Sequence, residues 1–195
     1  MKLLFNSFSI IEGIDNNPDA TFFSKKNFGS KVSLLDANTF SNTKKCYYIL
    51  SFLDVLCHQD IQYYKKVLKT SKKILNKGGY VLISDGAFNI LSGNHFEHVQ
   101  SARRFTKIQL VEDLKNLGCQ IIIAKYWVFF LFFLIFFKRQ IFEKIFFSSI
   151  KNSDIIKSPT LINIVCYLAV AWEKKFFKYW GPPFGSSIFI LARKI

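Results

Sequence analysis

For its first 126 residues the chain alternates apolar runs of strand length with segments patterned as helices, and this alternation limits the fold more than any other feature. Residues 9–15 form a short apolar run ending in an acid. Residues 18–28 read as a helix, with Pro18 in its first turn and Gly29 closing it. Residues 32–36 and 47–53 are two further strands. Residues 60–75 follow as a helix, with Ile61, Tyr64, Val67, Leu68, Ile74 and Leu75 three to four apart on one face. Asn76-Lys-Gly-Gly79 is expected to stop that helix with a left-handed glycine. Residues 80–84 are a fourth strand, followed by a loop to about residue 104. Thr106 caps a helix running to Leu117, Gly118 ends it, and residues 120–127 are a fifth strand. This order predicts a parallel α/β sheet with helices on both faces.

Beyond Trp127 the texture changes. Residues 128–137 are almost purely apolar and are followed by Lys138-Arg139. A second helical segment spans about 161–179, beyond a polar stretch at 148–158. Pro182 to Gly185 make a turn, and 187–192 are a last strand. The expected organisation is a core over 1–127, a Phe-rich helical cap or insert over 128–185, and the core's final strand over 186–195.

The apolar run from 121 to 137 carries a single charge, Lys125, but its first part already serves as a strand. The unbroken piece, 126–137, is 12 residues long, where a spanning helix needs about 20. Three readings stay open: a buried or cap helix, a helix lying in a membrane interface, and a true span, with length against the last. Trp127 and the Lys138-Arg139 pair keep the interfacial reading alive.

Charge bears on the same question. Of the net +14, residues 1–99 carry +4 and residues 100–195 carry +10, and most of the 23 Phe also lie in the second half. Basic and aromatic together suit a nucleic acid or an anionic membrane surface; drift toward Lys, Ile, Phe and Asn would raise the charge with no partner at all. Nucleic-acid binding would want a basic stripe with interleaved exposed aromatics. Here the aromatics cluster in apolar runs, so no nucleic acid is expected. Cys46, Cys57, Cys119 and Cys166 are scattered without a CxxC pair, which suits reduced thiols in a cytoplasmic protein. The apolar start at Met1 is too short for a signal peptide, being interrupted at Asn6 and Ser7. A cytoplasmic location is therefore expected, peripheral to the inner face of a membrane if the cap meets one.

Ligands of α/β folds sit at the carboxyl edge of the sheet, and Asp15 and Asp36 stand at two such strand ends. One acid there can accept from both ribose hydroxyls of a nucleoside, and a second from an adenine amino group. The plain alternative is that Asp15 caps the helix starting near Pro18. His58, His95, His98 and the cysteines lack metal-ligand spacing, so no metal site is expected. No nucleophile elbow or phosphate loop is present. The Arg103-Arg104 pair, just before a helix, reads as a solvated face.

Glu12-Gly-Ile-Asp15, Leu35-Asp-Ala37, Leu53-Asp-Val-Leu-Cys-His58 and Leu75-Asn-Lys-Gly-Gly-Tyr-Val-Leu-Ile83, in that order, resemble the class I S-adenosylmethionine-dependent methyltransferases. They are similar to that family's GxD, xDA, LDVLEH and LKPGGxLLI segments. Ala87-Phe88, His95, Arg103-Arg-Phe-Thr106 and the stretch from Gln109 to Gly118 resemble a subgroup carrying PAFxxLWSxHD, RRYT and a later aGF. Pro159-Thr-Leu-Ile-Asn163, Glu173 and Pro183-Phe-Gly-Ser-Ser187 extend the likeness nearly to the end of the chain.

The resemblance implies a Rossmann-like α/β methyltransferase sheet, mostly parallel with an antiparallel last strand, and a helical insert before that strand. It implies S-adenosylmethionine as cofactor, with Asp15 and Asn16 at its ribose hydroxyls and Asp36 with Ala37 flanking its adenine. Ser51, Phe52 and Leu53 would face its methionine part. His95, and second to it His98, would serve as general base toward a hydroxyl acceptor. The acceptor is expected to be small or lipid-like; the oligomeric state is left open. Three residues depart from the pattern. Tyr48 stands where an acid is usual, Cys57 replaces the Glu before His58, and Ser92-Gly93 replace a Trp-Ser pair in the substrate loop.

A further departure is larger. The family's first strand ends in a GxGxG turn, where only glycine allows the close backbone approach. In dinucleotide folds the acid follows such a turn by about 20 residues, and counting back from Asp15 lands before Met1. The nine glycines contain no GxG. An N-terminally truncated sheet is therefore expected, lacking the strand between those ending at Asp15 and Leu53. The true start would lie upstream, the chain would be a decayed fragment, or the Asp15 strand would pair directly with its next neighbour. The rival to an enzyme is a non-catalytic remnant of the fold, serving as a structural or membrane-associated module.

Overall fold

The computed structural model describes residues 11–28, 32–37, 40, 45–61, 63–91, 101–137 and 160–195. They fall into two compact units, Met1–Lys45 and Cys46–Ile195.

In the first unit β1 (Gly13–Asp15) pairs in parallel with β2 (Val32–Leu34), and α1 (Pro18–Phe28) forms the crossover between them. α1 has the bounds expected from sequence. Its cap is Asn17, whose Oδ1 accepts from the amides of Asp19 at 2.8 Å and Ala20 at 3.1 Å, satisfying two of the donors a helix leaves open at its start. The alternative in which Asp15 caps this helix is thereby corrected.

The second unit holds a four-stranded sheet in the order β3-β4-β6-β5. β3 (Tyr47–Leu53) runs parallel to β4 (Leu75–Gly86), and β6 (Ser187–Lys194) lies antiparallel between β4 and β5 (Cys119–Trp127). This is the mixed sheet expected, with the last strand reversed. β1 pairs with β2 in a two-stranded sheet within the first unit.

α2 (Tyr64–Ile74) and α3 (Lys107–Asn116) lie side by side. The Tyr64 hydroxyl donates to Asp113 at 2.8 Å and accepts from Gln109 at 2.9 Å. Val67, Leu68 and Ile74 from α2 and Leu110 and Leu114 from α3 are buried, as are Val81 and Ile83 of β4 and Ile188, Ile190 and Ala192 of β6. Alternate positions on both strands are only half-buried, so the two sheet faces are not sealed equally. Thr106 caps α3 as expected, its side chain accepting from the Gln109 amide.

The glycine stop expected at residues 76–79 takes another form. α2 runs straight into β4 at Leu75, which is already extended. The register jumps from the Tyr47 and Leu75 pair to the Ile49 and Tyr80 pair, so residues 76–79 bulge out of the ladder. Gly78 takes the left-handed φ of 77° there, and its carbonyl accepts from Arg193 Nε at 3.2 Å. Lys194 closes the end of α2 instead, donating to the carbonyls of Lys72 at 2.8 Å and Leu75 at 2.6 Å.

Between β5 and β6 lie α4 (Phe129–Phe136) and α5 (Thr160–Phe176). Phe129 packs its ring against Phe177 at 5.3 Å and Phe184 at 4.8 Å. No helix among the described residues is long and apolar enough to cross a membrane. Of the three readings of the apolar run, the true span is therefore not adopted there.

Candidate functional site

The carboxyl ends of the strands gather the polar groups. In the first unit, Asp15 ends β1 and Asp36 lies two residues past the end of β2, so both acids stand at the same edge of that small sheet. The half-buried Asp15 accepts the Asn17 amide at Oδ1, 2.9 Å away. Its Oδ2 takes no hydrogen bond among the described residues, which leaves one carboxylate oxygen for a ligand. The backbone of Asp36 accepts from Phe40 at 3.1 Å, so Asp36 and Ala37 belong to a tight turn. Asn16 is exposed beside Asp15.

In the second unit, Ser51, Phe52 and Leu53 end β3, with Phe52 buried and Ser51 and Leu53 exposed. The chain turns at Asp54, where φ is 53°, and its amide donates to the Ser84 carbonyl of β4 at 2.8 Å. His95 and His98 lie outside the described residues, as do Ser92 and Gly93.

Sequence reasoning missed the group that organises this edge. Asp85, fully buried at the end of β4, accepts the Leu56 amide at 3.1 Å and its neighbour Gly86's amide at 3.2 Å. It thereby pins the loop after β3 to the end of β4. Burial pushes its carboxyl up to about 6. Ligand atoms of Asp54, Cys57 and Asp85 lie within 4.8 Å of one another. Burial, reinforced by the Asp85 carboxylate, pushes the Cys57 thiol up to about 12. Asp85's oxygens already serve backbone amides. Through these bonds Asp85 anchors the loop, and Ser101 donates to Cys57 Sγ at 3.9 Å.

The thiols give a direct check. Cys46 is exposed, whereas Cys57 and Cys119 are buried and both are pushed up by burial. A maleimide is expected to label Cys46 quickly in the folded protein, and Cys57 and Cys119 only after unfolding. Mass spectrometry reads the sites, and rapid native labelling of Cys57 would contradict the buried anchor.

The Arg103-Arg104 pair is not the solvated face expected from sequence; both residues are half-buried. Arg103 donates to the carbonyls of Leu56 at 3.1 Å and of Ile61, and its guanidinium lies 5.8 Å from the centre of the Tyr64 ring. Arg104 donates to the Ala87 carbonyl at 3.3 Å. The pair thus ties the segment before α3 to the loops after β3 and β4, and no sequence pattern marks such a backbone role. Nearby, Gly185 passes so close to β5 that an added Cβ would meet the Trp127 carbonyl oxygen at 2.1 Å, so only glycine fits there.

No family model and no curated protein matches this chain. Solved structures do. An S-adenosylmethionine-dependent methyltransferase from Archaeoglobus fulgidus aligns over 93% of this chain and 75% of its own, at 16% identity and a TM-score of 0.57. A putative sarcosine dimethylglycine methyltransferase from Galdieria sulphuraria aligns over 99% and 73%, at 14% identity and a TM-score of 0.59. The [4+2]-cyclase SpnF aligns over 99% and 69%, at 12% identity and a TM-score of 0.56. At such identities the likeness is one of fold: the chain has the Rossmann-like α/β fold of these methyltransferases. That a cyclase shares it is a reminder that a fold does not fix a reaction.

Proposed function

We propose that this protein is a class I methyltransferase that transfers a methyl group from S-adenosylmethionine to a small or lipid-like acceptor. The observation that carries the reading is Asp15. It ends a parallel strand with one carboxylate oxygen uncommitted among the described residues, while Asn17 performs the capping that would otherwise explain an acid there. A carboxylate so placed suits two vicinal hydroxyls, so the residues present fit the ribose of the cofactor. Asn16 assists Asp15, Asp36 and Ala37 border the adenine, and Ser51, Phe52 and Leu53 serve the methionine part.

The bound cofactor supplies a methyl group on a sulfonium, already a good leaving group. The chain's task is then mainly to align the acceptor and exclude water. His95 takes the proton of a hydroxyl acceptor, with His98 second for that role. α4 and α5 of the second unit act as the cap for the acceptor. The aromatic packing of Phe129 with Phe177 and Phe184 supports an apolar acceptor beneath it, and a membrane-peripheral location follows from the same cap.

Calorimetry with S-adenosylmethionine tests the reading. Saturable binding is expected, weakened at least ~10-fold by Asp15→Ala, the loss of charge-assisted hydrogen bonds. Asn17→Ala removes the helix cap instead, and is expected to cost about 1 kcal/mol of stability with the affinity kept. No heat at millimolar cofactor would overturn the proposal in favour of a non-catalytic remnant of the fold.

A further inference from the structure

α5 is inside out for a helix of a water-soluble protein. A surface helix ordinarily turns its large apolar side chains to the core and its polar ones to water. Here the inward face is made of the half-buried Cys166, Ala169 and Val170 and the buried Glu173. The larger side chains point outward: Leu161, Val165, Trp172 and Phe176 are 62–76% exposed. With Leu168 they recur at intervals of three or four residues, which places them on a single stripe. Two further aromatics past the helix end, Tyr179 and Trp180, are 82% and 94% exposed.

The charges around this stripe are of one sign. Lys174, Lys175 and Lys178 are exposed among its last aromatics. From residue 160 to the end of the chain, Glu173 is the only acidic side chain. It is turned inward, where its carboxylate accepts from the Phe129 amide. Nothing acidic on the segment's surface offsets the lysines. At 17 residues, α5 spans about 25 Å of helix and ends in charge, which suits a helix lying in an interface rather than crossing it. Tryptophan and tyrosine prefer the headgroup level, and lysine stems reach past apolar surface to place their charge among phosphates.

We propose that α5 and the turn after it dock on an anionic lipid bilayer. The stripe from Leu161 to Phe176 enters the boundary between headgroups and acyl chains, and Lys174, Lys175 and Lys178 contact the phosphates. The surface is a property of the cap alone and depends on no cofactor, so calorimetry with S-adenosylmethionine and lipid binding succeed or fail separately.

The test is flotation of the full-length chain with phosphatidylcholine vesicles, with and without phosphatidylglycerol, at low and high salt. Binding is expected only to the anionic vesicles, weakening with salt, with a blue shift of tryptophan fluorescence. Lys174→Gln, Lys175→Gln and Lys178→Gln together should lower affinity by more than ~10-fold, at roughly fivefold per lysine. Trp172→Ser with Trp180→Ser should abolish the blue shift. Ile108→Ser, at an exposed position on α3, should change neither; every substituted residue is exposed, so circular dichroism should match the unsubstituted protein. Three results would each overturn the proposal: no flotation with either vesicle, undiminished binding of the lysine variant, or a lipid-independent dimer that shields Trp180.

Discussion

Replacing Glu173 by alanine is expected to cost about 3 kcal/mol of stability, the lost charge-assisted hydrogen bonds and helix-terminus interaction combined. α4 begins awkwardly: Val128 stands at its start with φ 61° and offers no capping side chain. The open donors are met from another helix. Glu173 of α5, 6% exposed, accepts at Oε2 from the amides of Phe129 at 2.6 Å and Phe130 at 3.4 Å. A buried carboxylate at a helix N-terminus is well placed both to hydrogen-bond those amides and to complement the dipole. Alanine leaves the amides without an acceptor, and the loss should be local to the cap. Hydrogen exchange of the α4 amides is expected to speed up more than that of β4 or β6. Glu173→Gln keeps an acceptor and loses the charge, so about 1 kcal/mol is expected. Denaturant unfolding measures both, and an alanine variant within about 0.5 kcal/mol of the parent would show that the bond is idle.

How much of this was readable beforehand depends on how local each interaction is. α1 and β3 have the bounds expected from sequence, because proline, strand-length apolar runs and helical spacing act over a few residues. Thr106 capping α3 and Gly118 following it at φ 72° are local in the same way. α2 starts at Tyr64 rather than residue 60, the Ile61 amide instead donating to the His58 carbonyl and the Ile61 carbonyl accepting from Arg103, 42 residues away. The glycine pair at 78–79 signals a turn correctly, but a helix stop and a strand bulge ask for the same residues. Asp85, Arg103 and Glu173 each act on backbone groups remote in the chain, and spacing encodes nothing of that kind. The candidate cofactor site divides likewise: the acids at strand ends are legible as positions, whereas the sparing of Asp15 by Asn17 is visible only in the hydrogen bonds.

Lowering the pH from about 7 to about 4 should stabilise the protein by about 2 kcal/mol relative to an Asp85→Asn variant. Burial is the main reason the Asp85 carboxyl is raised from 3.8 to about 6; the Asp54 carboxylate adds to it, while the Cys57 thiol and the Gly86 and Leu56 amides oppose it. Above pH 6 the folded protein holds a buried carboxylate that the unfolded chain would hydrate, so the penalty on folding is fully present. Between about 6 and 4 the folded state takes up a proton before the unfolded one does, and stability rises as pH falls. Below the unfolded value both states are protonated and the difference vanishes. This is opposite in sign to a salt-bridged aspartate, which loses stability on acidification. Comparing the two proteins by urea unfolding cancels the other carboxylates, and parallel pH profiles would contradict the assignment. Tolerating a carboxylate there at neutral pH makes sense only through the amides it holds. The charge binds the Leu56 and Gly86 amides most strongly when ionised, so the form that costs most in burial is also the one that best holds the loop after β3. Acidification should therefore raise global stability while loosening that loop, and faster exchange of the Leu56 amide at low pH, after correction for the intrinsic rate, is the expected local signature.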